Sequence, residues 1–180
     1  MQRIKSVNPQ TALGRTKELL DAVNANLGII PNMARAMAVS PSVLEAYLGF
    51  IGALGQGVLP ARIREQLALD VGEANDCEYC VSAHCVLGKG AGLSEQDVLD
   101  SRKGASSDPK TDVLLGFARK LVANRGLVDD ADIAAVRDAG FGDAEIAEVV
   151  AHVGLNTFTN YFNHVAGTTL DFPKAPALAA

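Results

Sequence analysis

The run Cys77-Glu78-Tyr79-Cys80-Val81-Ser82-Ala83-His84 sets two thiols and an imidazole at helical spacing, and Glu65 lies twelve positions before the first thiol. At about 100° per residue, Cys80 falls roughly 60° from Cys77 around a helix, and His84 projects between them. All three side chains then share one face. A thiol pair beside a base is the equipment of disulfide redox chemistry. Three such groups on one face could equally hold a metal ion.

Charge and position separate the two thiols. A helix N-terminus lowers a thiol pKa, which favours Cys77. The flanking carboxylates of Asp76 and Glu78 oppose a thiolate there, while His84 sits one turn beyond Cys80 and can take its proton. This assigns Cys80 as the attacking thiol and Cys77 as its resolving partner. Residues three apart within a helix hold their Cβ atoms about 5–6 Å apart, whereas a relaxed disulfide wants about 3.5–4.5 Å. Closure of the pair is therefore expected to distort the first helical turn.

Glu65 has Ala68, Leu69 and Gly72 as helical neighbours. A carboxylate in that company is either partnered or pushed toward its protonated form. Two partners remain open: the thiol–imidazole pair, in a proton relay, or Arg62, Arg64 or a more distant arginine. A zinc site is the competing use of the cysteines, with Cys85, His152 or His164 as a fourth ligand. Structural zinc sites usually place paired cysteines in a turn, whereas this spacing runs on into a helix. Cys85 points to another side and reads as a core cysteine. His152 and His164 read as packing or capping residues on the last helix, and Phe158, Tyr161 and Phe162 as core or interface. The face of Met33, Met37 and Tyr47 is a candidate substrate entrance.

The elements that must position these groups are helices. Residues 11–26 carry Leu13, Leu19, Leu20 and Val23 at helical intervals until Gly28 and Pro31 end the run. Ser40-Pro41 opens a helix through Leu54, and Pro60 starts another to about Ala74. Asn75 with Glu78 resembles a capping box for the cysteine helix, which Gly90 and Gly92 close. Ser94, Asp108-Pro109 and Asp129 cap three more, and a long helix from about Asp143 ends at Gly167. The tail with Pro173 and Pro176 reads as an extended arm. The fold class is all-α: one domain over 1–180 with a core of about 30–172, built from eight to nine helices.

Hydrophobic residues at 48% and charged residues at 21% fit a globular chain rather than disorder. A net charge of −5 without a basic stripe excludes a nucleic-acid surface. No apolar stretch is long enough to span a membrane, and Met1-Gln2-Arg3-Ile4-Lys5 does not lead into a signal-peptide core. Three cysteines, two of them three apart, do not form a secreted disulfide framework. The reading is cytoplasmic.

Glu65, Cys77-x-x-Cys80 and the His84 that follows have the spacing of the alkylhydroperoxidase D branch of the carboxymuconolactone decarboxylase superfamily, which the chain resembles. Ala91-Gly92-Leu93-Ser94, Phe117-Ala118-Arg119-Lys120-Leu121 and Ala139-Gly140-Phe141-Gly142-Asp143-Ala144-Glu145-Ile146 extend the resemblance, over roughly 30–172 in all. It implies an all-helical fold that forms homo-oligomers, commonly trimers or hexamers. It also implies hydroperoxide reduction by the cysteine pair without haem, flavin or metal, the pair being reset by an external dithiol (a thiol reductant protein or a small molecule). By position Cys80 corresponds to the peroxide-attacking cysteine, Cys77 to the resolving one, His84 to the base and Glu65 to the relay carboxylate. Tyr79 stands where the best-studied branch has a second histidine, and is a possible relay residue that donates a hydrogen bond but takes no proton near neutral pH. The branch that acts on a muconolactone lacks the cysteine pair, so decarboxylation is not expected. A different class is also open: a non-catalytic redox sensor or partner-binding protein whose cysteine helix switches on oxidation.

Overall fold

The computed structural model describes residues 2–178, and every regular element among them is an α-helix. In chain order these are α1 (Gly14–Leu27), α2 (Asn32–Met37), α3 (Pro41–Leu54), α4 (Ala61–Ala74), α5 (Glu78–Gly90), α6 (Glu95–Arg102), α7 (Pro109–Ala123), α8 (Asp130–Asp138) and α9 (Asp143–Ala166). Helix starts follow the capping chemistry of the sequence. Ser94, Asp108 and Asp129 each accept the N–H of the residue three further on. Ser40 stands at its cap position without such a bond, and Pro41 carries the start of α3. The short α2, lying between Pro31 and Ser40, is an element the sequence pattern did not separate.

Helix α4 is the hub. Gln66 through Gly72 are all buried, and the helix packs on α5, α6, α7 and α9. Leu67 joins Leu114, Leu115, Phe117 and Val149 in the largest apolar cluster. A second cluster under α1–α3 holds Leu20, Val23, Met37 and Leu44. Two glycines let α4 and α5 approach closely. A Cβ on Gly72 would stand 3.3 Å from a Val81 methyl and 3.7 Å from Cys80 Cβ; one on Gly88 would stand 2.9 Å from Leu93 Cδ1 and 3.8 Å from Glu65 Cβ. The two glycines thus lie beside Cys80 and Glu65, the two ends of the suspected site.

Buried charge ties the remaining elements to α4. Arg119 donates to Asp70 at 2.5 Å and to the Arg102 carbonyl at 2.9 Å. Arg102 donates to Glu73 at 2.8 Å and to the Pro176 carbonyl at 2.8 Å. That last bond fastens the expected C-terminal arm, which leaves α9 at Gly167, a left-handed cap at φ 60°. The arm crosses α2 and α5. The Thr169 carbonyl accepts from Asn32 Nδ2 at 3.1 Å, and the Asp171 carboxylate accepts from Asn32 N–H at 2.6 Å. Ala175 N–H donates to Ser82 Oγ at 3.0 Å, and Lys174 pairs with Glu78.

Candidate active site

The cysteine pair sits at the turn between α4 and α5. Asn75 ends α4, Asp76 takes a left-handed conformation at φ 53°, and Cys77 is the N-cap of α5. Asn75 is therefore not the cap of the cysteine helix; its side chain donates instead to Asn160 Oδ1 at 2.9 Å. Cys77 Sγ accepts the Cys80 N–H at 3.3 Å, as a serine oxygen would in that position. Cys77 and Cys80 form a disulfide across Cα atoms 5.3 Å apart. The expected distortion of the first turn is absent, because Cys77 at φ −87°, ψ 87° lies outside the helix. The turn bends the chain so that closure leaves α5 intact.

Both sulfurs are nearly buried, yet they face different spaces. Cys80 lines an apolar cavity of about 420 Å³, together with Glu65, His84, Tyr47, Tyr79 and His152. Cys77 lines a separate pocket of about 200 Å³ with Asp76, Glu78, Asn163, His164 and Thr168. Across the α4–α5 contact, His84 Nδ1 lies 2.8 Å from Glu65 Oε2. A carboxylate only accepts, so in the neutral imidazole Nδ1 carries the proton and Nε2 keeps a lone pair. Glu65 thus has the imidazole as its partner rather than an arginine: Arg62 pairs with Asp97, and Arg64 donates to the Leu59 carbonyl.

Tyr79 is buried, its hydroxyl accepting the Met33 N–H at 3.2 Å and its ring meeting Phe172 edge-on at 5.8 Å. Burial, with the nearby Asp171 carboxylate, pushes its phenol far above the ordinary tyrosine range, so it remains a donor. Burial, and secondarily Glu65, pushes Tyr47 in the same cavity up to about 12. Of the candidate entrance residues, Met33 and Tyr47 line the cavity. Met37 does not; it is fully buried in the N-terminal core, where α2 turns it toward α1 and α3.

Helix α9 supplies groups that the sequence reading passed over, Asn156, Thr159, Asn160 and Asn163, beside His152, which it read as packing or capping. All five are buried, whereas Val150, Phe158, Tyr161 and Val165 on the same helix are exposed. The helix turns its polar face inward. Asn163 Nδ2 donates to Cys80 Sγ at 3.3 Å and to Met33 Sδ at 3.2 Å. His152 is 5% exposed, and its Nε2 has no hydrogen-bond partner although the residue lines the cavity. Burial, reinforced by the Arg64 charge, lowers the His152 pKa, so the ring is neutral near pH 7. The signal was present as polar residues recurring at intervals of three and four in an apolar helix.

The other singled-out residues fall elsewhere. Cys85 is a free thiol packed on Leu69, Leu93 and Val98, and burial raises its pKa. His164 lies against the Asn75 carbonyl at 2.8 Å. Phe158 and Tyr161 are exposed, while Phe162 packs on the N-terminal cluster. Among the described residues no group of three or more His, Cys, Asp or Glu converges to hold a metal ion, and no helix is long and apolar enough to cross a membrane.

Residues 41–124 match the carboxymuconolactone decarboxylase family. No curated protein is similar enough to match. Among solved structures, the alkylhydroperoxidase AhpD core of an uncharacterized peroxidase-related protein from Ralstonia eutropha JMP134 superposes with TM-score 0.86 at 22% identity, covering 94% of this chain and 92% of that one. A peroxidase-related protein from Silicibacter sp. TM1040 gives 0.79 at 23% identity, covering 93% and 92%. The debrominase Bmp8 in complex with 2,3,4-tribromopyrrole gives 0.81 at 16% identity, covering 95% and 92%. The α4–α5 segment that carries Glu65, Cys77, Cys80 and His84 falls inside the matched family region. Over residues 41–124 the chain is thus similar to the carboxymuconolactone decarboxylase family, and its all-helical fold is the one seen in the alkylhydroperoxidase AhpD core structure.

Proposed function

We propose that the protein is a thiol-dependent reductase of organic hydroperoxides. The observation that carries this reading is a disulfide-bonded cysteine pair of which one member, Cys80, opens onto an apolar cavity shared with a hydrogen-bonded Glu65–His84 couple. In the reduced protein His84 Nε2 accepts the Cys80 proton, and Glu65 holds the imidazolium. The thiolate attacks the distal oxygen of ROOH. An S–O bond forms, the O–O bond breaks, and the alkoxide leaves as ROH with the proton from His84. Cys77 then attacks the sulfenic sulfur, expelling water and closing the disulfide. An external dithiol restores the pair, so electrons pass through the two sulfurs alone.

The cavity favours an apolar R group over hydrogen peroxide itself, and the unpartnered His152 Nε2 is a hydrogen-bonding anchor for the substrate oxygen. The inverted α9, with its apolar face exposed, supports a homo-oligomer, and sedimentation would report its order. Steady-state consumption of cumene hydroperoxide with dithiothreitol tests the function. Turnover exceeding that with hydrogen peroxide, and abolished by Cys80→Ser, supports it. One oxidation per chain without turnover would indicate a redox sensor instead. Because Bmp8 on this fold holds a bromopyrrole, reductive debromination belongs in the same assay.

A further inference from the structure

The disulfide presents its two sulfurs to two different spaces, and no part of the oxidative half-reaction uses the second. Cys77 borders the pocket of about 200 Å³ formed by the α4–α5 turn, the end of α9 and the start of the C-terminal arm. Tyr79 lines both spaces and forms the wall between them. At this second pocket, Thr168 Oγ1 and the Asn163 Oδ1 are buried without hydrogen-bond partners. Its rim carries Asp76 and Glu78, the latter paired with Lys174, and His164, which is engaged with the Asn75 carbonyl.

We propose that the pair is served from two sides: the oxidant reaches Cys80 through the large apolar cavity, and a small neutral or cationic thiol reaches Cys77 through the second pocket. This rests on reading the pair as a turnover site. Thiol–disulfide exchange requires the incoming thiolate, the attacked sulfur and the leaving sulfur to lie nearly in line. Approach from the Cys77 side therefore expels Cys80. The electrostatics do not oppose this, since each sulfur accepts one N–H: Cys77 from the Cys80 backbone, Cys80 from Asn163 Nδ2 at 3.3 Å. With donors evenly divided, access selects the sulfur. A bond forms between the reductant sulfur and Cys77 Sγ, the Cys77–Cys80 bond breaks, and Cys80 departs as a thiolate hydrogen-bonded to Asn163. A second thiol, the other arm of a dithiol, then attacks the reductant sulfur. It releases Cys77, which takes up a proton, and the reductant leaves as a disulfide, two electrons and two protons poorer. The carboxylates at the rim disfavour an anionic reductant.

The regiochemistry can be read without any peroxide. Protein oxidised with diamide is mixed briefly with 2-mercaptoethanol, quenched with iodoacetamide and mapped by mass spectrometry. The expected product carries the mercaptoethanol adduct on Cys77 and the alkyl group on Cys80; adduct chiefly on Cys80 overturns the proposal. At matched thiolate concentration, cysteamine should reduce the pair several-fold faster than 3-mercaptopropionate, and equal or reversed rates would count against the assigned pocket. Thr168→Trp, which fills that pocket, should slow reduction roughly tenfold more than it slows oxidation by cumene hydroperoxide. Equal slowing of both would mean a single shared entrance. Failure of the peroxidase reading would show separately, as reduced protein inert to hydroperoxide whatever the trapping result.

Discussion

At the residue scale, the chemistry depends on which lone pairs and protons are left free. His84 donates its Nδ1–H to Glu65, and in the proposed mechanism this keeps the Nε2 lone pair for the Cys80 thiol. Replacing Glu65 by Gln removes a charge-assisted bond worth roughly 2 kcal/mol, about thirtyfold in rate. Single-turnover oxidation of Cys80 by cumene hydroperoxide should slow by that order while the fold persists; an unchanged rate would remove Glu65 from the relay. His152 makes the opposite trade. Its buried, unpartnered Nε2 costs roughly 1–3 kcal/mol, so His152→Phe should raise the thermal midpoint while raising KM for the hydroperoxide more than it lowers kcat. A variant both less stable and fully active would show that His152 is a packing residue. The sequence made Cys77, Cys80 and His84 legible because they follow one another at intervals of three and four, and Glu65 because it is a carboxylate among small and apolar helical neighbours at the spacing of the resembled family. Asn163 was not legible, since it reaches Cys80 across 83 positions of chain and its spacing to the cysteines carries no information.

At the element scale, the site depends on how closely α5 lies on α4. Gly72 and Gly88 leave no room for larger side chains beside Cys80 and Glu65 respectively. Gly72→Leu should push the helices apart and destabilise the protein by about 1–3 kcal/mol. It should also weaken the His84–Glu65 bond, seen as a changed pH profile of thiol alkylation. Unaltered stability and profile would mean that the two helices accommodate the side chain by sliding. Local signals located most helices because Ser94, Asp108 and Asp129 combine cap and turn chemistry in a few residues. They misplaced the start of α5, since Asn75 and Glu78 satisfy the same pattern that Cys77 fulfils in three dimensions. The thiol cap was hidden because sulfur is a weak acceptor and seldom read as one.

Across the whole molecule, the four charged side chains Asp70, Glu73, Arg102 and Arg119 join α4, α6, α7 and the arm. Burial outweighs the partly exposed Arg119 and pushes the Asp70 carboxyl up to about 6. A carboxyl whose folded pKa exceeds its unfolded value binds its proton more tightly when folded, so its contribution is present in acid and lost as pH rises from about 4 to about 6. Asp70→Asn should remove that loss. Urea unfolding at pH 4.5 and 7 should then show the variant gaining on the wild type at the higher pH, by about 2 kcal/mol. A constant difference would mean that Asp70 stays ionised in both conditions. The all-helical class was legible from periodicity, but this network was not, because side-chain pairing between distant helices follows from packing and leaves no local pattern.

The arm that roofs Tyr79 is fastened largely through its main chain: the Thr169 and Pro176 carbonyls and the Ala175 N–H make bonds, to which Asp171 adds one carboxylate contact and Lys174 an ion pair with Glu78. Phe172, the side chain that reaches the cavity, takes part in none of them. The hydrogen bonds that seat the arm are therefore independent of what residue 172 is, although its ring also packs edge-on against Tyr79, so an aromatic or large apolar replacement keeps the attachment best. Selection or an engineer could alter the size and polarity of the chamber above Cys80 by one substitution there, leaving the cysteines, the imidazole and the helices that hold them as they are.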